Sequence, residues 1–302
     1  MKALVISGGG SKGAFAGGVA EYLIKECGGD YDLFVGSSTG SLLVSHLALG
    51  KIDEIKDIFT NCKQNDIFNI NPFIIKKKDG ETLIKINHFH VLWTFLLRKK
   101  TFGESKNLRK LIKNALSLED YKELKSLNKE VLVTVSNLTT FKKELKSNLK
   151  NDYRDFIDWI WASANYVPFM SLMVKNGFEY ADGGFSAHTP IQTAIDRGAN
   201  IIDVIVLETE EITKNSTPST NAFESAMKVF SHMIDQIYHD DISIGKLKGN
   251  LNDVQLRFFH MPRVITETPL VFDPEQMKEW WKEGFAHAKD VNPYCTILTP
   301  KV

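Results

Sequence analysis

The chain has 302 residues, 43% of them hydrophobic, which is enough for a large core in one enzyme-sized domain, and its 37 basic residues balance 37 acidic ones. A net charge of zero gives no concentrated basic surface of the kind that a phosphate backbone selects, so no nucleic acid partner is expected. Cys27, Cys62 and Cys295 are scattered and form no C-x-x-C pair, which predicts reduced thiols in a cytoplasmic setting rather than a disulfide framework or a zinc site.

In chain order, a strand is predicted over residues 2–7, a helix over 11–26 ended by Gly28-Gly29, a strand over 31–35 and a helix over 39–49 ended by Gly50. Only four apolar residues precede the first glycine loop, too few for a signal-peptide core. No run approaches the roughly 20 apolar residues of a membrane-spanning helix. Helices follow over 53–62 and 108–116, then a strand over 130–135, an exposed alternating strand over 141–145 and a helix over 153–162. Asn176-Gly177 reads as a hairpin turn, and Thr189 with Pro190 reads as an N-cap followed by proline in the first helical position. The buried-type strand 201–207, a polar loop over 210–221, a helix over 222–238, a strand over 254–260 and a last helix from Asp273 complete the chain. Such alternation predicts a single domain over residues 1–302, a three-layer α/β/α fold around a mostly parallel sheet.

Two glycine-bearing turns carry most of the chemistry. Gly36-Ser37-Ser38-Thr39-Gly40 closes a strand and opens a helix with the spacing G-x-S-x-G. Glycines two residues either side of the serine let the backbone turn sharply enough to push the Ser38 hydroxyl out of the sheet edge, as in a nucleophile elbow. Gly8-Gly9-Gly10-Ser11-Lys12-Gly13 makes the same strand-to-helix transition, and its N–H groups converge on a point that favours negative charge. The backbone around Gly8, Gly9, Gly10 and Ser11, with Thr39 behind the serine, is the candidate oxyanion hole, and Gly10 is expected where the backbone must approach a substrate closely. Far downstream, Asp182-Gly183-Gly184 stands where a strand hands over to a loop.

These three segments together resemble the patatin-like phospholipases, a family marked by G-G-G-x-[KR]-G, then G-x-S-x-G, then D-G-[GA]. Lys12 fills the basic slot, Ser38 matches the serine and Asp182 the acid. Ala162-Ser163 and Pro168 are similar to the family's A-S-x-x-x-P stretch, with one residue more before the proline, whereas residues 62–128 bear little likeness and His188 replaces a usually small polar residue ahead of Pro190. The resemblance implies a lipid acyl hydrolase of phospholipase A or lysophospholipase type. It implies a Ser38–Asp182 dyad that works through an acyl-enzyme, an acyl lipid as substrate, and no metal or organic cofactor. Gly13, Gly36, Gly40, Gly183 and Gly184 would support the motifs, and Lys12 would tether the glycine loop.

Two other readings compete. Gly8, Gly10 and Gly13 also satisfy G-x-G-x-x-G, which would suit a dinucleotide-binding oxidoreductase, but the second strand ends in Val35-Gly36 and not in the acid that binds ribose hydroxyls. His260 and His287 follow Asp182, so a Ser-Asp-His triad is formally available. The apolar segment from Ile86 to Lys100, which ends in Arg98-Lys99-Lys100, is expected mainly to face the core, with transient contact to an anionic membrane surface as the alternative. One of Trp280 and Trp281 is expected in the core.

Overall fold

The computed structural model describes residues 1–78, 81–210 and 218–291. Its central sheet runs in the order β10-β9-β1-β2-β5-β8-β7, where β1 is Lys2–Ile6, β2 Leu33–Gly36, β5 Glu130–Asn137, β7 Met173–Lys175, β8 Phe178–Ala181, β9 Ile201–Thr209 and β10 Gln255–Met261. The five strands β10, β9, β1, β2 and β5 are parallel, and β6 (Lys142–Ser147) pairs antiparallel with the far edge of β5. Alternation along β1 divides the core in two. Leu4 and Ile6 enter one cluster, and Ala3 and Val5 the other. The first is covered by α1 (Gly13–Lys25), α2 (Thr39–Ala48), α3 (Ile52–Asn61), α6 (Lys106–Ala115), α7 (Leu118–Ser126), α8 (Tyr153–Ser163) and α11 (Pro274–Val291). The second is covered by α9 (Ile191–Asp196) and α10 (Ala222–Leu251). This is the expected three-layer α/β/α arrangement around a mostly parallel sheet.

How the sheet positions the site follows from the two edges of β5. Its first residues, Glu130 to Val133, pair with β2, and its last two, Ser136 and Asn137, pair with Ala181 and Tyr180 of β8. Because Ser136 also pairs with Lys143 of β6, and β6 overlaps β2 along β5, β8 must lie on the same edge as β2. β8 is antiparallel to β5, so the C-terminal ends of β2 and β8 point at each other. The residues that follow them, Ser37-Ser38 and Asp182, therefore meet although 144 positions separate Ser38 from Asp182.

Several elements differ from the sequence expectations. The hairpin of β3 (Phe73–Lys78) and β4 (Glu81–Ile86) forms a separate two-stranded sheet, and with α4 (Gln64–Ile67) and α5 (His88–Leu96) it occupies the stretch where family likeness is weak. α10 continues well past residue 238. Pro190, not Thr189, takes the cap position of α9, and the Thr189 N–H donates to Asp241 Oδ2 at 2.9 Å. The expectation that Ile86 to Lys100 mainly faces the core is corrected: Phe89, Leu92, Trp93, Phe95, Leu96 and Leu97 are all exposed, and only Val91 and Thr94 of α5 are buried. Trp280 and Trp281 are both buried, since α11 crosses α1 closely enough to enclose the pair. Cys27 is disulfide-bonded, which corrects the expectation of reduced thiols at that residue, while Cys62 is a free, buried thiol. Most of the polar loop 210–221, together with Cys295, lies outside the described residues.

Candidate active site

β1 and β2 end at the same level, with Ile6 opposite Gly36, so the glycine loop and the G-x-S-x-G turn leave the sheet side by side. Ser38 sits at the head of α2 with φ 51° and ψ −119°, a conformation that a side chain adopts only under constraint. The constraint is packing. A Cβ on Gly36 would lie 2.5 Å from the Gly40 carbonyl carbon, and one on Gly40 would lie 2.4 Å from the Ile6 carbonyl oxygen. Both flanking glycines are needed for the turn to close against β1.

The Ser38 hydroxyl donates to Asp182 Oδ2 at 2.6 Å, and Gly184 N–H donates to Asp182 Oδ1 at 2.8 Å. The Asp182 backbone is clamped as well: its N–H donates to the Asn165 carbonyl at 3.0 Å, and its carbonyl accepts from Ser136 Oγ at 2.7 Å. Only 2% of Asp182 is exposed. Burial pushes its pKa up to about 7, against the smaller lowering effects of the Ser38 and Gly184 hydrogen bonds. Gly183 allows this turn, since a Cβ there would meet Thr134 Oγ1 at 2.3 Å.

On the glycine loop, the Gly8 N–H donates to the His188 carbonyl at 3.0 Å and the Ser11 N–H to the Pro269 carbonyl at 2.8 Å, so these two expected oxyanion donors are already engaged. Among the described residues, the N–H groups of Gly9, Gly10 and Thr39 donate to no protein acceptor. The reason for glycine at position 10 also differs from expectation. Its φ is +58°, and a Cβ there would lie 2.2 Å from the Pro269 carbonyl oxygen, so a crossing strand of backbone, rather than a substrate, demands it. Lys12 pairs with Glu208 of β9 at 2.6 Å and thereby ties the loop to the strand beside β1.

His260 and His287 do not join Ser38 and Asp182. His260 lies on β10 at the sheet edge, three strands from β2, and the His287 ring on α11 packs against Phe15, their centroids 5.7 Å apart. His188 does lie near: its Nε2 and Ser38 Cβ are each 3.3 Å from the place a Gly8 Cβ would occupy. Ser163, which the sequence marks only as part of a family-like stretch, holds the elbow: its Oγ accepts the Ser38 N–H at 3.1 Å. Tyr166 lies in the same stretch, between Ala162-Ser163 and Pro168, and its phenol pKa is raised first by burial and then by the nearby Asp182 and Asp235 carboxylates.

A family model for the patatin-like phospholipases matches residues 4–195. Among curated proteins none matches. Among solved structures, the chain is similar to VipD from Legionella pneumophila, with 16% sequence identity and a TM-score of 0.49 over 96% of this chain. It spans 66% of the length of that protein.

Proposed function

The chain belongs to the patatin-like phospholipase family, and from that premise we propose that it hydrolyses fatty acyl esters of lipids through Ser38 and Asp182, as a phospholipase A or lysophospholipase. The observation that carries this reading is the 2.6 Å hydrogen bond from Ser38 Oγ to a buried carboxyl whose pKa is pushed up to about 7. A free aspartate, with a pKa of about 3.9, is a weak base at neutral pH, but one near 7 has a basicity like that of histidine.

In this mechanism Asp182 takes the Ser38 proton as Oγ attacks the ester carbonyl. The resulting oxyanion is held by N–H groups of the glycine loop and of the start of α2. Gly9, Gly10 and Thr39 are the favoured donors because their N–H groups have no acceptor among the described residues, whereas Gly8 and Ser11 are engaged and contribute by shaping the loop. Asp182 then protonates the departing alcohol. The same carboxylate next deprotonates a water that attacks the acyl-enzyme, releasing the fatty acid and restoring Ser38. Neither a metal nor an organic cofactor enters these steps.

An apolar pocket lined by Leu42, Phe59, Leu108, Ile112 and Phe272 among others supports an acyl substrate. Leu42 is one helical turn along α2 from Ser38, so a chain esterified at the serine has apolar surface within reach. The test is incubation with a serine-directed fluorophosphonate followed by peptide mass spectrometry. Labelling is expected at Ser38, with loss of p-nitrophenyl ester hydrolysis in the labelled protein and in a folded Ser38→Ala variant. Unchanged turnover in Ser38→Ala would refute the assignment.

A further inference from the structure

α5 turns large apolar side chains outward. Val91 and Thr94 face inward, while Phe89, Leu92, Trp93 and Leu96, at helical spacing, form one stripe with exposures of 89, 59, 59 and 68%. Isolated exposed leucines are ordinary in soluble proteins. A contiguous stripe of four large apolar side chains marks a contact surface.

The charge around the stripe departs from that of the molecule. Although the whole chain is neutral, residues 76 to 100 carry seven Lys or Arg against two Asp or Glu. Lys76, Lys85, Arg98, Lys99 and Lys100 are exposed. Lys99 and Lys100 reach Glu104 and Glu179 at 3.6 and 2.7 Å, which offsets part of this charge and leaves a basic surplus beside the apolar stripe. A protein partner could use either feature alone; an apolar stripe bordered by cations has the two-layer chemistry of an anionic bilayer, with acyl tails beneath charged headgroups.

Aromatic rings link this helix to Ser38 and Asp182. Phe95 meets Phe102 at 5.6 Å between centroids, Phe102 meets Phe169 at 6.1 Å, Phe169 stacks on Tyr166 at 6.3 Å, and Tyr166 meets Phe185 at 5.3 Å. Phe185 ends the short turn that begins immediately after Asp182. We infer that α5 is a docking surface for an anionic lipid bilayer: its stripe enters the boundary between headgroups and acyl tails, Arg98, Lys99 and Lys100 meet the headgroups, and the ring path guides an acyl chain towards Ser38. The choice of a bilayer as occupant rests on the acyl-lipid reading above.

The test uses full-length Ser38→Ala protein, so that lipid is not consumed, and co-sedimentation with vesicles of phosphatidylcholine alone or mixed with phosphatidylglycerol. Stronger binding to the mixed vesicles is expected. Leu92→Asp combined with Trp93→Asp should weaken it at least about tenfold, because each removes an inserted apolar side chain. Arg98→Gln, Lys99→Gln and Lys100→Gln together should erase the preference for phosphatidylglycerol. With Ser38 restored, the Leu92→Asp, Trp93→Asp protein should still hydrolyse water-soluble p-nitrophenyl butyrate while losing activity on vesicles. Vesicle binding that is absent, or that ignores the stripe substitutions, overturns the inference. So does a stable dimer that those substitutions dissociate, since the stripe would then be a protein interface. Failure of the hydrolase reading looks different: wild-type protein would bind vesicles and leave p-nitrophenyl butyrate intact.

Discussion

A carboxyl group buried with a serine hydroxyl and one backbone amide as its hydrogen-bond donors holds its proton more tightly than the same group in an unfolded chain. The Asp182 pKa of about 7, against an ordinary value of 3.8, has two measurable consequences. Since Asp182 must be ionised to accept the Ser38 proton, kcat/KM for a soluble ester should rise with pH through an apparent pKa near 7 and level off above it. A rate limb near pH 4 would mean that the acting base is a solvated carboxylate. Stability should move the opposite way. Because the folded state retains the proton that the unfolded state releases, stability is full below about pH 3.8 and declines up to about pH 7, where the ionised, buried carboxylate costs about 4 kcal/mol. Asp182→Asn keeps one oxygen as acceptor for the Gly184 N–H, places an amide N–H beside Ser38 Oγ, which then accepts, and carries no charge. It should therefore be inactive yet melt higher than the wild type at pH 8, with the advantage gone below about pH 4. Equal melting curves at pH 8 would show that Asp182 carries no buried-charge penalty. Ser38 was legible in the sequence through the glycines that flank it and Asp182 through the two that follow it, each with a backbone reason; the raised basicity was not, since it depends on the enclosure that distant elements provide.

Elements whose roles are local in sequence were readable, and those whose roles are crossings were not. The turns after β1 and β2 announce themselves through glycine spacing, whereas the crossing of α1 on α11 brings together residues some 260 positions apart, as the hydrogen bond from Trp281 Nε1 to Glu21 Oε2 illustrates. A Cβ on Gly18 would lie 1.9 Å from the Trp281 carbonyl oxygen, and one on Gly284 would lie 2.1 Å from that of Phe15. Backbone atoms cannot swing aside as a side-chain tip can. Gly18→Val should force the two helices apart and reduce stability by about 3 kcal/mol or more in urea denaturation. Gly28 provides the contrast, with φ +58° and open space around it, so Gly28→Ala should cost only the left-handed backbone penalty of about 1–2 kcal/mol. If the two substitutions cost the same, helix contact is not what fixes glycine at position 18. The weak family likeness over 62–128 has a similar origin: β3, β4 and α5 stand outside the main sheet and answer to surface chemistry, which strand and helix periodicity does not encode.

At the scale of the whole molecule, the family match ends at residue 195 but the sheet does not. β9 is the neighbour of β1, and β10 extends the sheet beyond it, so removal of these strands would expose an edge of β1 at the centre of the sheet. Later residues also fix the glycine loop, through Glu208 to Lys12 and through the Pro269 carbonyl that takes the Ser11 N–H. Asp203 in β9 is fully buried between Arg257 of β10 and Tyr31, whose hydroxyl donates to it at 2.6 Å, and this joins the last strand to the segment that enters β2. These contacts support reading the chain as one domain, in which residues 196–291 hold the first half in place. A protein truncated after residue 195 should therefore lack a cooperative melting transition and bind no fluorophosphonate at Ser38. Removal of α11 alone, by ending the chain at residue 272, should leave the sheet but strip the cover from Phe15, Glu21 and the α1 glycines, giving a protein that melts far below the full chain or aggregates. A soluble 1–195 fragment that melts cooperatively and labels at Ser38 would contradict the one-domain reading and place the whole of the chemistry within the first 195 residues.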